Sequence, residues 1–294
     1  CIRDSICVEE GLDPVTAIRM ATLNAAECFD LKDRGAIAPG YRGDVVLLDD
    51  LKDFHVNRVF IEGALVAEEG KYLPEIKKCD ISSVKGSVIV KDFSKEKFKM
   101  NLKSNKVNVI KILPGGVVTA KDTAEIELDA NGEFVRNPEV DLVKVAVVER
   151  HQGTGNVACG FLKGYGIKEG AVALSVAHDS HNIIVVGVND EEMEFAVNSL
   201  IEQEGGIVLV KEGKVIESMP MPIAGLMSDQ SGEWVDQKLT DIHEKAYEEL
   251  GICGDVEPVM TLCFMSLAVI PEIKLTDMGL FDVTTFSFIP VEVE

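Results

Sequence analysis

Hydrophobic positions along the chain follow two regimes. Near the start they recur at helical spacing. Asp13-Pro14 opens a helix with a carboxylate at the N-cap and proline at the first helical position; Val15, Ile18, Ala21, Thr22 and Ala25 then carry it to about Phe29. Cys1 to Ile6 reads as the middle of another helix, and without an initiator methionine it reads as the tail of a longer chain. A turn-rich stretch from Arg34 to Asp44 feeds the strand Val45 to Leu48. Val56 to Ile61 and Ala64 to Ala67 form a hairpin around Glu62-Gly63. One helix and a few strands are too little for an independent core.

Beyond the polar stretch Pro74 to Lys85, a candidate boundary, the pattern changes to short apolar runs of strand type. They are Ser87 to Val90, Val107 to Leu113, Val117 to Ala120, Val143 to Val148, Ala171 to Val176, Ile183 to Val188, Ile207 to Val210 and Val215 to Met219. Two helical stripes interleave with them: Met193, Ala196, Val197, Leu200 and Ile201, closed by Gly205-Gly206, and Val235, Leu239, Ile242, Ala246 and Leu250, closed by Gly251. Asn156 to Leu162, after Gly153-Thr154-Gly155, is a candidate third helix. Trp234 anchors its helix to the core. The fold class is α/β (mixed α+β), with a layered domain of about 200 residues after the boundary.

Composition narrows the possibilities. Hydrophobic residues at 46% suit a soluble globular chain, and 50 acidic against 29 basic residues give a net charge of -21. That field repels phosphate backbones and anionic lipids, and no basic cluster overrides it, so neither nucleic acid nor membrane is an expected partner. No apolar run is long enough to cross a bilayer. Seven cysteines without a C-x-x-C pair point to free thiols in a reducing cytoplasm; Cys159 and Cys263 sit in apolar context and read as buried.

Chemistry concentrates at the ends of strand-like runs. Of five histidines, His178 and His181 lie in Ala177-His178-Asp179-Ser180-His181-Asn182, between two apolar runs. His151 lies in Arg150-His151-Gln152-Gly153-Thr154-Gly155, directly after a third. An imidazole titrates near neutrality and can bond a ring nitrogen or relay a proton, with a neighbouring carboxylate fixing its tautomer. His178 and His181 with a carboxylate could instead hold a metal ion. The bland reading gives Asp179, Ser180 and Asn182 turn hydrogen bonds and the histidines carbonyl partners. Gly153-Thr154-Gly155 reads as a tight strand-to-helix connection whose helix N-terminus would favour anions. His55 and His243 read as incidental surface residues, and Met219-Pro220-Met221-Pro222 as an extended cover on the core. No nucleophile elbow or phosphate-binding loop is present.

Thr16-Ala17-Ile18-Arg19-Met20-Ala21-Thr22-Leu23-Asn24-Ala25-Ala26, followed by Gly35-Ala36-Ile37-Ala38-Pro39-Gly40-Tyr41-Arg42-Gly43-Asp44, resembles the end of an amidohydrolase-superfamily protein. Arg150 to Gly155, Ser175 to Asn182, Met221 to Ser228 and Val269 to Leu280 resemble the C-terminal domain of the adenine deaminase family. The resemblance implies 1–30 as the terminal helix of an otherwise absent hydrolase barrel, 31–77 as β-sandwich strands, and 78–294 as the C-terminal domain. It implies adenine as substrate, hydrolysed to hypoxanthine and ammonia, and a homo-oligomeric, cytoplasmic parent. It also implies a divalent metal of manganese, iron or zinc type, bound by the barrel. No position here matches that barrel's His-x-His, so no metal ligand is expected in this chain, which alone should be inactive. His178, Asp179, His181 and His151 are the proton-relay or substrate-shell candidates, Arg150 and Asn182 the substrate-binding ones. The alternatives are another amidohydrolase acting on a different heterocyclic amine or amide, or a non-catalytic assembly or regulatory domain.

Overall fold

A computed structural model describes residues 2–293, which divide into two compact units on either side of Cys79 and Asp80. In the first unit, helix α1 spans Ile2–Glu9, in line with the helical reading; Cys1 lies outside the described residues. Asp13 caps α2 (Pro14–Arg19), its carboxylate accepting from Thr16 N at 2.9 Å. A π turn, Met20–Asn24, carries the chain into α3 (Ala25–Cys28). Strands β1 (Val45–Leu48), β2 (Val56–Ile61), β3 (Ala64–Glu68) and β4 (Lys71–Tyr72) form an antiparallel meander.

The apolar stripe read from the sequence does not close into a core. Val15 is 63% exposed, and the buried helical residues are Ala17 and Ala26. Ile18, Ala21 and Ala25 instead line, with Val45, Val46 and Leu48, an open apolar hollow of about 640 Å³. Too few elements surround the stripe to bury it.

The second unit is built on an eight-stranded sheet. Its strands are β5 (Lys106–Ile112), β6 (Thr119–Glu125), β9 (Leu142–Val148), β10 (Val157–Lys163), β11 (Ala171–Leu174), β12 (Ile183–Gly187), β13 (Gly206–Lys211) and β14 (Lys214–Pro220). The order is β14-β13-β11-β12-β9-β10-β5-β6, antiparallel throughout except for β10 beside β5. A two-stranded hairpin, β7 (Glu127–Leu128) and β8 (Phe134–Val135), lies between β6 and β9 in sequence.

Period-two alternation divides the sheet between two cores. Ala146, Val148, Ala173, Val185 and Val208 meet helix α4 (Asp190–Glu202) through Met193, Ala196, Val197 and Leu200. Val145, Val147, Leu174, Ile184 and Leu209 face α5 (Gly232–Glu248), α6 (Pro258–Cys263) and a small sheet of β15 (Ile273–Thr276), β16 (Gly279–Asp282) and β17 (Ser287–Phe288). With both faces covered, the central strands are apolar along their whole length, which is why they read as continuous runs. Trp234 packs, partly buried, against the second of these cores.

Two expectations are corrected. Asn156 to Leu162 is not a helix: Val157–Lys163 is β10, paired with β9 over seven positions. Gly153-Thr154-Gly155 closes a hairpin, and Val157 and Cys159 pack on one core while Ala158 and Leu162 pack on the other, a period of two rather than of a helix. Ser87 to Val90 joins no sheet, although Ile89 N donates to Arg150 O at 2.8 Å.

Gly170 (φ +68°) precedes β11, and a Cβ there would stand 1.9 Å from Val210 O on the neighbouring strand. Gly170→Ala is expected to cost more than about 3 kcal/mol in urea unfolding, since backbone must move. Gly213→Ala, at φ +67° with open space around it, should cost only about 1–2 kcal/mol.

Candidate functional site

Strands β9 and β11 end, and β12 begins, at one edge of the sheet, and their connections form one cluster. At the end of β9, Glu149 turns back into its own hairpin. Its carboxylate accepts from His151 N (2.5 Å), Gln152 N (2.7 Å), Thr154 N (2.9 Å) and Thr154 Oγ1 (3.0 Å). Burial would raise the Glu149 pKa, but these donors outweigh it and hold the pKa at about 2. The strand-to-helix anion site expected here is therefore absent: the chain's own carboxylate fills the nest of N–H groups.

Arg150 is 1% exposed. Its Nε donates to His181 O at 2.5 Å, its Nη2 to Ala224 O at 3.2 Å, and its main-chain N to Asn182 Oδ1 at 3.3 Å. A Cβ on Gly225 would lie 2.7 Å from Nη1, so only glycine fits against the guanidinium. Ser175 Oγ fixes that glycine, donating to Gly225 O at 2.6 Å and accepting from Gly206 N at 2.7 Å. The Met221 to Ser228 segment is thus the cover over Arg150. Desolvation lowers the Arg150 pKa from its ordinary value.

The His178 loop is held by three contacts from the Cys263 to Ser266 segment. His178 N donates to Cys263 O at 2.9 Å, Ser266 Oγ donates to His178 O at 3.1 Å, and the imidazole stacks on Phe264 at 4.7 Å. His181 N closes a turn on Ala177 O at 2.6 Å, and His181 adopts φ +51°. His151 Nε2 lies 2.7 Å from Ser180 O, and the rings of His178 and His181 are 6.0 Å apart. The three imidazoles therefore share one rim. Asp179 stands out into solvent, 3.8 Å from His178 Nδ1. Burial, then the charges of His178 and Arg150, push the His181 pKa below 6.5, and its Nδ1 is buried without a hydrogen-bond partner.

Asn182 is buried and donates to Asp277 Oδ1 at 3.2 Å; Asn156 donates to Asp277 Oδ2 at 3.3 Å. Asp277, in the turn between β15 and β16, thus ties both loops together across 95 residues of sequence. The family-like segment Val269 to Leu280 contains it, but no local pattern assigns Asp277 this role. His243 is not simply a surface residue: its Nε2 lies 2.5 Å from Glu257 on the next element. His55 pairs with Asp49 at 2.7 Å. Burial raises the thiols of Cys159 and Cys263 to about 12, which leaves both protonated and inert.

Among the described residues no group of three or more His, Cys, Asp or Glu side chains could hold a metal ion, so the two-histidine metal site considered from sequence does not form.

Residues 3–66 match the model of the amidohydrolase family, which the Thr16 to Ala26 and Gly35 to Asp44 motifs resemble. Residues 116–287 match the adenine deaminase C-terminal domain, and with well over half its length covered the chain belongs to that family. It is 67% identical over 287 residues to "Adenine deaminase 2" of Desulfotalea psychrophila, covering 98% of this chain and 50% of the relative. With "Adenine deaminase" of Ligilactobacillus salivarius it is 49% identical over 289 residues, 98% of this chain and 50% of the other. The chain spans about half the length of these curated relatives.

The imidazoles should titrate apart. The His181 signal is expected below 6.5 in an NMR titration, and that of His55, raised by its bond to Asp49, above it. Because the folded pKa of His181 is depressed, its contribution is present above 6.5 and is lost as pH falls through the folded value. Asp277→Ala should cost about 1–3 kcal/mol by leaving buried Asn182 without its acceptor.

Proposed function

We propose that this chain is the C-terminal part of an adenine deaminase, and that the Ala177 to Asn182 loop walls or lids the purine in the complete enzyme. The reaction is adenine plus water to hypoxanthine plus ammonia. The observation that carries the assignment of the loop is the shared rim of His151, His178 and His181, with the unpartnered Nδ1 of His181 among them. Residues 1–30 would be the last helix of the hydrolase barrel, 31–77 sandwich strands, and 78–294 the C-terminal domain. The open apolar hollow of the first unit supports this, as a face made to be covered.

Amidohydrolase membership implies a divalent metal that activates water. The residues present here do not fit that role, and we assign it, as manganese, iron or zinc, to the remainder of the protein. What this chain supplies is recognition and proton handling. Three ring nitrogens of adenine are acceptors, while its ring N–H and 6-amino group are donors. An imidazole kept neutral by burial can serve either, according to tautomer. His181 would bond the purine, while His178, held by Phe264 and beside Asp179, would pass a proton between the rim and solvent. Arg150 and Asn182 act from beneath, as positioning residues that fix the loop, rather than by touching substrate. We further infer a cytoplasmic, homo-oligomeric enzyme of purine salvage; the unpaired cysteines support a reducing compartment.

In the full-length enzyme, His178→Ala and His151→Ala are expected to lower kcat for adenine roughly hundredfold or more, the scale of general acid–base participation. Turnover near wild type in both would favour a purely assembling or regulatory domain. Normal turnover of another heterocyclic amine, with none of adenine, would favour a different amidohydrolase. The present chain alone should fold and show no adenine turnover with any added divalent metal; measurable turnover would overturn the division of labour.

A further inference from the structure

At the opposite end of β12 from the histidines lies a cavity of about 530 Å³, within the size range of small-molecule sites. The five residues of β12 place it roughly 15 Å from the histidine loop. Its walls come from the Lys95–Phe98 turn and the residues after it, the β7–β8 hairpin and its exit, Lys144 of β9, and the start of α4. Charged groups dominate these walls, and nearly all are committed to one another.

Lys95 Nζ pairs with Glu191 at 2.8 Å, and Lys99 with Glu96. Lys144, 6% exposed, donates to both oxygens of Asp190 at 2.7 and 3.0 Å and to Phe98 O at 3.1 Å. Glu133 accepts from the main-chain N of Met100 (3.2 Å) and Asn101 (3.0 Å). Every wall carboxylate therefore already has donors. Arg136 is different: its Nη2 donates to Ile167 O at 3.0 Å, its Nε is buried with no partner, and among the described residues no carboxylate lies within ion-pair distance of it. Burial lowers its pKa from the ordinary value.

We propose that this cavity binds a small molecule carrying one oxoanion group, a carboxylate or a phosphate monoester, anchored on Arg136 with its apolar body beside the ring of Phe134. Hydrogen bonding selects the sign: the wall's carboxylates, Glu133 included, already accept from donors, whereas Arg136 keeps donors without an acceptor. A guanidinium that has, among the described residues, no carboxylate partner and only one hydrogen bond, from Nη2, keeps donors for an oxoanion. Phe134 also lines the cavity and is held edge-on against Phe161 at 5.1 Å, so its ring is a fixed wall. In a chain of net charge -21, anions are repelled in general, so saturable binding would require this local site. The site is independent of the deaminase reading.

Calorimetric titration of the 294-residue chain in low-salt buffer would use benzoate, phenyl phosphate and inorganic phosphate as probes, with chloride as control. Saturable one-site binding of benzoate or phenyl phosphate is expected at millimolar concentration or below; the stronger of the two identifies the head group, and weaker inorganic phosphate shows that the body contributes. Arg136→Gln should weaken it at least about tenfold, as one charge-assisted hydrogen bond is lost, with Arg136→Lys retaining part and His178→Ala all of it. If Arg136→Gln does not fold by circular dichroism, Lys99→Glu on the exposed part of the wall should still weaken binding about threefold or more at low salt. No saturation by any probe overturns the proposal, as does unchanged affinity in whichever of these two variants folds, or loss of binding in His178→Ala.

Discussion

A guanidinium out of reach of water must find acceptors, and the second unit is organised around how Arg150 does so. It sits at the end of a strand buried on both faces, and main-chain oxygens of two different loops, at His181 and Ala224, receive its donors. Stripping a charge of water is expensive unless hydrogen bonds replace the solvent. The two loops are therefore not free to drift: opening either one removes an acceptor from a buried cation whose Nη1 already has none. Gly225, whose missing side chain lets the cover approach, and Ser175, which bonds that cover to the sheet, belong to the same device.

The neighbouring Glu149 applies the same logic with opposite sign. Buried and ionised, it draws the N–H groups of its own hairpin around itself, so the turn after β9 is fixed from within. Asp277 then joins that hairpin to the histidine loop through two asparagine amides. Three charged side chains, the adjacent Glu149 and Arg150 and the distant Asp277, thus replace what a continuous helix or strand would otherwise provide. The result is an imidazole rim held on irregular backbone, with enough rigidity to present rings in defined places. At the far end of β12 the charges instead pair, Lys144 with Asp190 and Lys95 with Glu191, while Glu133 is held by main-chain N–H groups and Arg136 is left with donors unmet.

Family membership and the histidine-bearing segments were both readable in the chain, for a common reason. Glycines at forced turns, caps such as Asp13-Pro14, and apolar runs flanking His178 to His181 are local features, imposed within a few residues. The error over Asn156 to Leu162 shows the limit of local reading. A glycine-bounded apolar segment of seven residues serves a short helix or a strand equally well, and pairing with β9 decided the matter.

What the sequence determined alone was most strands of the main sheet and the two longer helices on it, the mixed class, and where imidazoles meet strand ends, because periodicity and turn chemistry act over a few neighbouring residues. Which loops share an end of the sheet, that Arg150 lies beneath them, and that Asp277 reaches across from a distant hairpin were decided by the tertiary structure. These depend on strand order and on the desolvation of charges. Burial of a charge is a property of the whole packed arrangement, and no window of sequence contains it.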